Sequence, residues 1–299
     1  MPHYLPEGLL LRTGTQRFTP EFLECAAQER HICEAIVTMC DEHHNLIVDL
    51  GFTTGIIPHD QAAFGIASGA VREIALLSRV GQPICFLVQD AAARPVLLSR
   101  SAAQQQAYTD YLLHLTPGDI LPAVVTNPAR FGAFCDIGCG LIGLLGIENI
   151  SVSRIQHSRD RFEEGQQIFA AIRAIDPETG RITLTHKELL GTWLQNAARF
   201  RPGQTVTGVI RSQMDYGLFI ELAPNLSGLS EPKEGLHPGD AVSVYIKSIL
   251  PEKQKIKLAV VKKLERQLLP RQPIFYFETE GHLSSWQYGR PDSRQLTVF

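Results

Sequence analysis

The stretch Arg130-Phe131-Gly132-Ala133-Phe134-Cys135-Asp136-Ile137-Gly138 sets two aromatic rings three residues apart with a glycine between them. Residues 215–223 (Asp-Tyr-Gly-Leu-Phe-Ile-Glu-Leu-Ala) repeat the arrangement more weakly, and residues 43–51 (His-His-Asn-Leu-Ile-Val-Asp-Leu-Gly) keep only its apolar outline. Three versions of one stretch imply three domains of one kind.

Around each version, short apolar runs alternate with turn signals, the pattern of a series of short strands. The first series is 32–39, 46–50, 55–57, 83–89 and 95–99; the second is 120–127, 131–137, 141–145, 168–175 and 181–185. The third is 205–212, 218–222, a short strand near Gly228, 241–250 and 255–261. Between the series lie two stretches rich in helix formers, 102–115 and 187–200, stopped by Thr116-Pro117-Gly118 and Arg201-Pro202-Gly203. Five strands per unit, with helices between units, predict a mostly β chain of small barrels strung on helical linkers. Two further segments align in order and spacing. Gly81-Gln-Pro-Ile, Gly165-Gln-Gln-Ile and Gly239-Asp-Ala-Val occupy one position, and Arg94-Pro-Val-Leu, Arg181-Ile-Thr-Leu and Lys255-Ile-Lys-Leu the other.

Phe131-Gly-Ala-Phe134, then Gly-Leu-Ile-Gly-Leu-Leu, then Glu164-Gly-Gln-Gln-Ile, then Ile175-Asp-Pro-Glu-Thr-Gly-Arg-Ile-Thr-Leu-Thr185 resemble the RNA-binding repeat named after ribosomal protein S-one. The resemblance covers about residues 30–265, strongest in the second unit and weakest in the first. It implies three tandem OB-fold five-stranded barrels, as in bacterial multi-repeat proteins of that type. The expected layout is an N-terminal arm at 1–24, a degenerate repeat at 25–101, a helical linker at 102–116, a repeat at 117–186, a linker at 187–200, a repeat at 201–263 and a C-terminal extension at 264–299. The arm, with Pro2, Pro6, Gly8, Gly14 and Pro20, reads as extended, with no visible partner. The extension, from Pro273 to Tyr288, reads as a β-hairpin around Glu280-Gly281, with Trp286, Tyr288 and the Phe275–Phe277 run packing against the open edge of the third barrel or, as the alternative, forming another stacking surface.

In repeats of this type, two aromatics of the second strand, a His after the third strand, an Asp and a basic residue near the last strand share one face. The resemblance places these in the second unit at Phe131, Phe134, Asp176 and Arg181, with Gly146 where His is usual. In the third unit they fall at Tyr216, Phe219 and Lys255, with Glu231 for His and Leu250 for Asp; Lys247, Lys253, Lys257, Lys262 and Lys263 add positive charge. A strand Phe is ordinarily core, but rings on a half-exposed sheet stack bases at about 1–3 kcal/mol each while cations track phosphates. The first unit offers His44, Asn45, Ile47, Pro58 and Arg94 at these positions, without the aromatic platforms, and is expected either to dock on a protein such as the small ribosomal subunit or to serve as a structural spacer.

Charge and composition bound the alternatives. At 44% hydrophobic and 20% charged, the chain is a soluble globular type. No apolar run reaches membrane-spanning length and residues 1–7 lack export features, so a cytoplasmic, non-membrane protein is expected. Six cysteines without a Cys-x-x-Cys read as reduced thiols. A formal charge of −3 excludes bulk coating of duplex DNA, but the charge is graded: Lys and Arg against Asp and Glu give 7 − 12 = −5 for 1–110, 7 − 9 = −2 for 117–190 and 9 − 6 = +3 for 200–263. A polyanion is expected on the C-terminal half.

Gly138-Cys-Gly-Leu-Ile-Gly143 has dinucleotide-fingerprint spacing but no helical period after it, so its glycines read as a tight strand turn. Cys33, Cys40, His43, His44 and His59 match no closed zinc pattern, and neighbouring strand residues point to opposite faces; no metal and no cofactor is expected. No nucleophile–base pair has positional support, so the chain is not read as an enzyme. The expectation is a non-catalytic protein that binds single-stranded RNA or mRNA in translation or mRNA handling. The competing reading is a protein-interaction adaptor that has lost useful RNA binding.

Overall fold

The computed structural model describes residues 4–14, 16–66, 73–176, 179–265, 273–290 and 296–299. Three closed five-stranded barrels follow one another. The first comprises β1 (Cys33–Cys40), β2 (Leu46–Asp49), β3 (Thr54–Ile57), β4 (Pro83–Asp90) and β5 (Val96–Ser99). The second comprises β6 (Ile120–Ala129), β7 (Gly132–Asp136), β8 (Ile142–Gly146), β9 (Gln167–Ile175) and β10 (Ile182–Thr185). The third comprises β11 (Thr205–Met214), β12 (Gly217–Ala223), β13 (Leu226–Ser230), β14 (Ala241–Leu250) and β15 (Lys255–Leu264). Each has the same circular order, with the third strand beside the fifth; that pairing is parallel in β3–β5 and β13–β15 and the remaining recorded pairings are antiparallel. The mostly β, three-barrel architecture read from the sequence is the observed one.

The barrels fill by alternation. Along β12, Leu218 and Ile220 point inward and are fully buried, joining Ile210, Val244, Ile246 and Leu258. Helices preceding a barrel supply part of its core. Leu23 and Ala26 of α2 (Pro20–Gln28; α1 is Leu9–Arg12 and α3 is Ile74–Leu77) pack with Leu46, Ile57, Phe86 and Leu98. Trp193 and Ala197 of α5 (Trp193–Ala197; α4 is Arg100–Asp110) do the same for the third barrel. The 187–200 stretch is therefore not one helix. A 3-10 turn at Lys187–Leu190 ends at Gly191, and Thr192 starts α5 afresh in a capping box with Gln195.

The chain divides into two compact units: Met1–Leu115 with Pro122–Thr126 and Cys135–Gly143, and Thr116–Leu121 with Asn127–Phe134 and Leu144–Phe299. In the first unit the N-terminal segment is neither extended nor unpartnered, which corrects the sequence expectation. It carries α1 and α2, and its Glu7 is buried in an ion pair: Arg100 donates through Nε and Nη2 at 2.7 and 2.9 Å, and Arg79 through Nη1 at 3.3 Å. Burial would raise the Glu7 carboxyl, but the Arg100 guanidinium outweighs it and holds the group below its ordinary value. Asp136 accepts the Glu7, Gly138 and Gly140 amides. A Cβ at Gly140 would lie 2.2 Å from Arg100 Nη2, so this glycine makes room for the ion pair, a role beyond turning a strand.

In the second unit the C-terminal segment does not form the hairpin expected around Glu280-Gly281; it meets the barrel segment through an isolated Asp119–His282 bridge. Residues 273–280 hold no strand; the two-stranded sheet joins β16 (Ser285–Gln287) to β17 (Leu296–Val298) instead. Tyr288 Oη donates to the Asn225 carbonyl, and buried Asn225 donates to the Lys187 and Gly191 carbonyls and accepts the Val152 amide. His186 is fully buried: one ring nitrogen lies 2.8 Å from the Ile150 carbonyl, the other 3.0 Å from Tyr276 Oη. The carbonyl must accept, so Nδ1 carries the proton and Nε2 accepts from the tyrosine.

Burial pushes the His186 imidazole down to about 4. A base depressed in the folded state stabilises fully above its unfolded value near 6.5 and loses that contribution as pH falls toward 4. Unfolding free energy should therefore drop by about 3 kcal/mol between pH 7 and 4 through this group. His186→Gln should flatten the decline in chemical denaturation series; an unchanged slope would refute the assignment. Glu7→Ala leaves Arg100 buried and uncompensated, and should destabilise the protein by about 3–5 kcal/mol.

Candidate nucleic-acid interface

The inward–outward alternation that fills the barrels fixes where the rings go. Ala133 and Cys135 are buried, and Phe134 between them faces outward, half-buried. Phe131, just before β7, is 58% exposed. Their rings meet edge to face at 5.8 Å. The third barrel repeats this: Tyr216 is 65% exposed, Phe219 is half-buried, and the rings sit 6.2 Å apart edge to face. The intervening glycine has a steric reason. A Cβ at Gly132 would lie 2.3 Å from the Leu145 carbonyl oxygen, and one at Gly217 2.4 Å from that of Ser230. Only glycine lets the second strand run this close to the end of the third.

Cross-strand register identifies the neighbours in the third barrel. Phe219 is paired with Ser212 and Leu229, Leu229 with Lys257, and Lys257 with Ser248. Directly paired residues point to the same side, so Phe219, exposed Leu229 and exposed Lys257 form one outward row. Lys255 lies two residues before Lys257, on the same side of β15, while Ile256 between them is core. Of the lysines, Lys257 is the one on the row of the ring, and its register was not evident from the sequence. Lys247 falls at an irregularity in the β14–β15 pairing and its Nζ is 3.1 Å from Glu231.

The second barrel holds Asp176 and Arg181 at the β9–β10 turn, both exposed. The Asp176 amide donates to the Arg181 carbonyl, and the Asp176 carboxylate accepts from Thr179. Asp176 is thus committed to its own turn. Arg181 precedes β10, and β8 separates that strand from β7 and its rings.

The missing histidine has a counterpart in both barrels. A Cβ at Gly146 would lie 2.4 Å from Glu148 Oε1, so the Glu148 carboxylate fills the space beside this glycine. Gly146 itself lies against Gly132, since a Cβ there would be 3.0 Å from its Cα. In the third barrel Glu231 occupies the equivalent position directly after β13. Each of these two barrels therefore has a carboxylate at or against the end of its third strand. In the first barrel no ring stands at the corresponding positions, and Arg94 Nη1 is turned back onto the carbonyls of Ala91, Ala92 and Ala93. The 138–143 glycine run leads into strand β8, not a helix. All six cysteines are free thiols. No helix among the described residues is long and apolar enough to cross a membrane.

A model of the S1 RNA binding domain matches residues 114–187, the second barrel. The small ribosomal subunit protein bS1 of Staphylococcus aureus (strain MRSA252) is 30% identical, over 90% of this chain and 71% of that protein. A protein of the same name from Rhizobium meliloti (strain 1021) is 30% identical over 73% of this chain, which spans 40% of its length. Against bS1 from three further Staphylococcus aureus strains the chain spans 63% of the length. Among solved structures, a multidomain protein with nucleic acid binding domains from Streptococcus pneumoniae covers 77% of this chain and 73% of its own, at 12% identity and a TM-score of 0.27.

If the carboxylates face the same ligand as the rings, neutralising them should help an anion bind. Glu148→Gln and Glu231→Gln should each strengthen binding of an unstructured RNA oligonucleotide, by up to about 1 kcal/mol at low salt. Fluorescence anisotropy would read the change, and unchanged affinity in both variants would place the carboxylates off the binding path.

Proposed function

The chain belongs to the small ribosomal subunit protein bS1 family, and from that premise we propose that it is a non-catalytic, cytoplasmic, single-stranded RNA-binding protein acting in translation or mRNA handling. The observation that carries this reading is the pair of outward edge-to-face ring sets, Phe131 with Phe134 and Tyr216 with Phe219. A core has no use for half-exposed rings repeated at one place in two barrels. Unpaired bases do, because every base offers a face to stack on and single strands leave those faces free.

The candidate phosphate-contacting cations differ between the barrels. In the third, Lys255 and Lys257 lie on the side of the sheet that carries Phe219 and track phosphates. Lys247 adds to this once it leaves Glu231, an exposed pair of little net strength. In the second, Arg181 serves, and Asp176 acts by shaping the turn that presents it. The first barrel lacks rings and is the most acidic region, which suits contact with a basic protein surface, such as one on the small ribosomal subunit.

A second reading, a protein-interaction adaptor with little RNA affinity, is favoured by one feature. Neither ring-bearing barrel keeps the histidine usual in an RNA-binding repeat: Gly146 stands there in the second, with the Glu148 carboxylate against it, and Glu231 in the third. Recovery of partners from cell extract with and without ribonuclease separates the two: partners lost on ribonuclease treatment speak for RNA, partners retained for the adaptor.

The decisive variant is Phe131→Ala with Phe134→Ala. It should weaken binding to an unstructured RNA by about 1–3 kcal/mol for each ring that stacks, leaving thermal unfolding nearly unchanged because neither ring is core. Wild-type affinity in the folded double variant would eliminate stacking. A salt titration should show a steep fall in affinity that becomes shallower in Lys255→Ala/Lys257→Ala.

A further inference from the structure

The first barrel lacks the rings of its neighbours but brings together a different set of groups. His44 lies in the β1–β2 loop, His59 opens the 3-10 turn after β3, and Glu73 directly precedes α3. A donor atom from each lies within 4.8 Å of the other two, and His44 Nδ1 is 3.9 Å from a Glu73 carboxylate oxygen. We propose that these three residues bind a divalent transition-metal ion, zinc being the best match, with solvent completing a four-coordinate shell. This inference is independent of the RNA-binding reading, because the first barrel carries no ring pair.

Three observations point to a ligand and away from a chance cluster. The first is an orphaned atom. His59 Nε2 is shielded from solvent and has no hydrogen-bond partner, although a buried polar atom normally finds one. A metal ion would engage that lone pair, while the surrounding protein does not.

The second is the rigidity of the presenting loop. Asp41 accepts the His43 and Asn45 amides and the Asn45 side-chain amide, while the His44 amide donates to the Asp41 carbonyl. These bonds hold His44 at φ 60°, a left-handed conformation uncommon for a residue with a side chain. Asn45 Oδ1 then accepts the His59 amide at 2.9 Å, tying the two histidine-bearing segments together. The imidazole rings lie 5.9 Å apart between centroids and are tilted by 52°. Backbone strain is retained here beside an open donor set.

The third is chemical. Two neutral imidazoles and a carboxylate form a mixed nitrogen–oxygen set that suits zinc, whereas magnesium and calcium prefer all-oxygen sites. Tetrahedral zinc with ordinary bond lengths sets its donors about 3.4 Å apart, so donors that lie within 4.8 Å of one another must close by up to about 1.4 Å. Glu73 is exposed and its side chain can supply much of that movement. The local field helps as well, since residues 1–110 carry 7 − 12 = −5 formal charges. The adjacent pair His43 and Glu42 stands outside the cluster, with both side chains largely solvent-exposed.

The full-length chain, stripped with a chelator and dialysed, should be titrated with zinc by calorimetry and with cobalt(II) by visible absorption. The expected result is one ion per chain, the absorption of a four-coordinate cobalt site, and a zinc-dependent rise in melting temperature. His59→Gln and His44→Asn should each weaken the affinity at least about tenfold, since even residues that merely support a ligand contribute that much. Asn at position 44 tolerates the left-handed backbone, and should that variant fail to fold, exposed Glu73→Gln provides the same test. His43→Gln should bind as wild type. Absence of a one-to-one site, wild-type affinity in folded His59→Gln, or an equal loss in His43→Gln would each overturn the proposal.

Discussion

A five-stranded barrel is small enough that one set of alternating residues fills its interior, and this constraint governs the rest of the structure. With Ala133 and Cys135, or Leu218 and Ile220, committed to the inside, Phe134 and Phe219 have only the outside. Closure adds a second demand, because the second strand passes so near the end of the third that only glycine fits at positions 132 and 217. Around each of these glycines the paired rings, Phe131 with Phe134 and Tyr216 with Phe219, meet edge to face on the outside. The candidate binding face is thus a consequence of closing the barrel.

That coupling explains why the sequence was so readable for the barrels. Strand period, turn residues and repeat spacing are local signals, and all three agree in the second and third units. The contacts that fix the two ends of the chain have no such local sign. Glu7 meets Arg100 across 93 positions, and Tyr276 meets His186 across 90. Nothing periodic marks a lone acid as the partner of a distant arginine, and a proline-spaced segment looks extended until a buried charge holds it. Helix 187–200 broke for a nearer reason: Thr192 and Gln195 form a capping box, legible in principle as a restart signal.

The site residues divide along the same line. The rings were legible because repeat alignment reports backbone position, and backbone position determines which way a side chain faces. Engagement of the polar groups was not, because it depends on what else reaches them. Asp176 is occupied by Thr179, Lys247 by Glu231, and Arg94 by three carbonyls of its own turn. Lys257 emerged only from the register that aligns it with Leu229 and Phe219.

The carboxylates beside the rings bear on affinity as well as on sign. Gly146, with Glu148 against it, and Glu231 stand where a hydrogen-bonding, sometimes cationic histidine would assist an RNA chain, so a single face of this kind is expected to be weak at physiological salt. Weak faces on one polypeptide need not give a weak protein. Once one ring pair holds a strand, the second meets it at an effective concentration set by the tether instead of by the solution, and avidity can exceed either separate affinity by orders of magnitude. Such binding favours long unpaired RNA over short oligonucleotides and releases quickly when one face lets go. On the proposed reading, two weak ring pairs on one chain, with none in the first barrel, suit a protein that holds single-stranded RNA while letting it move.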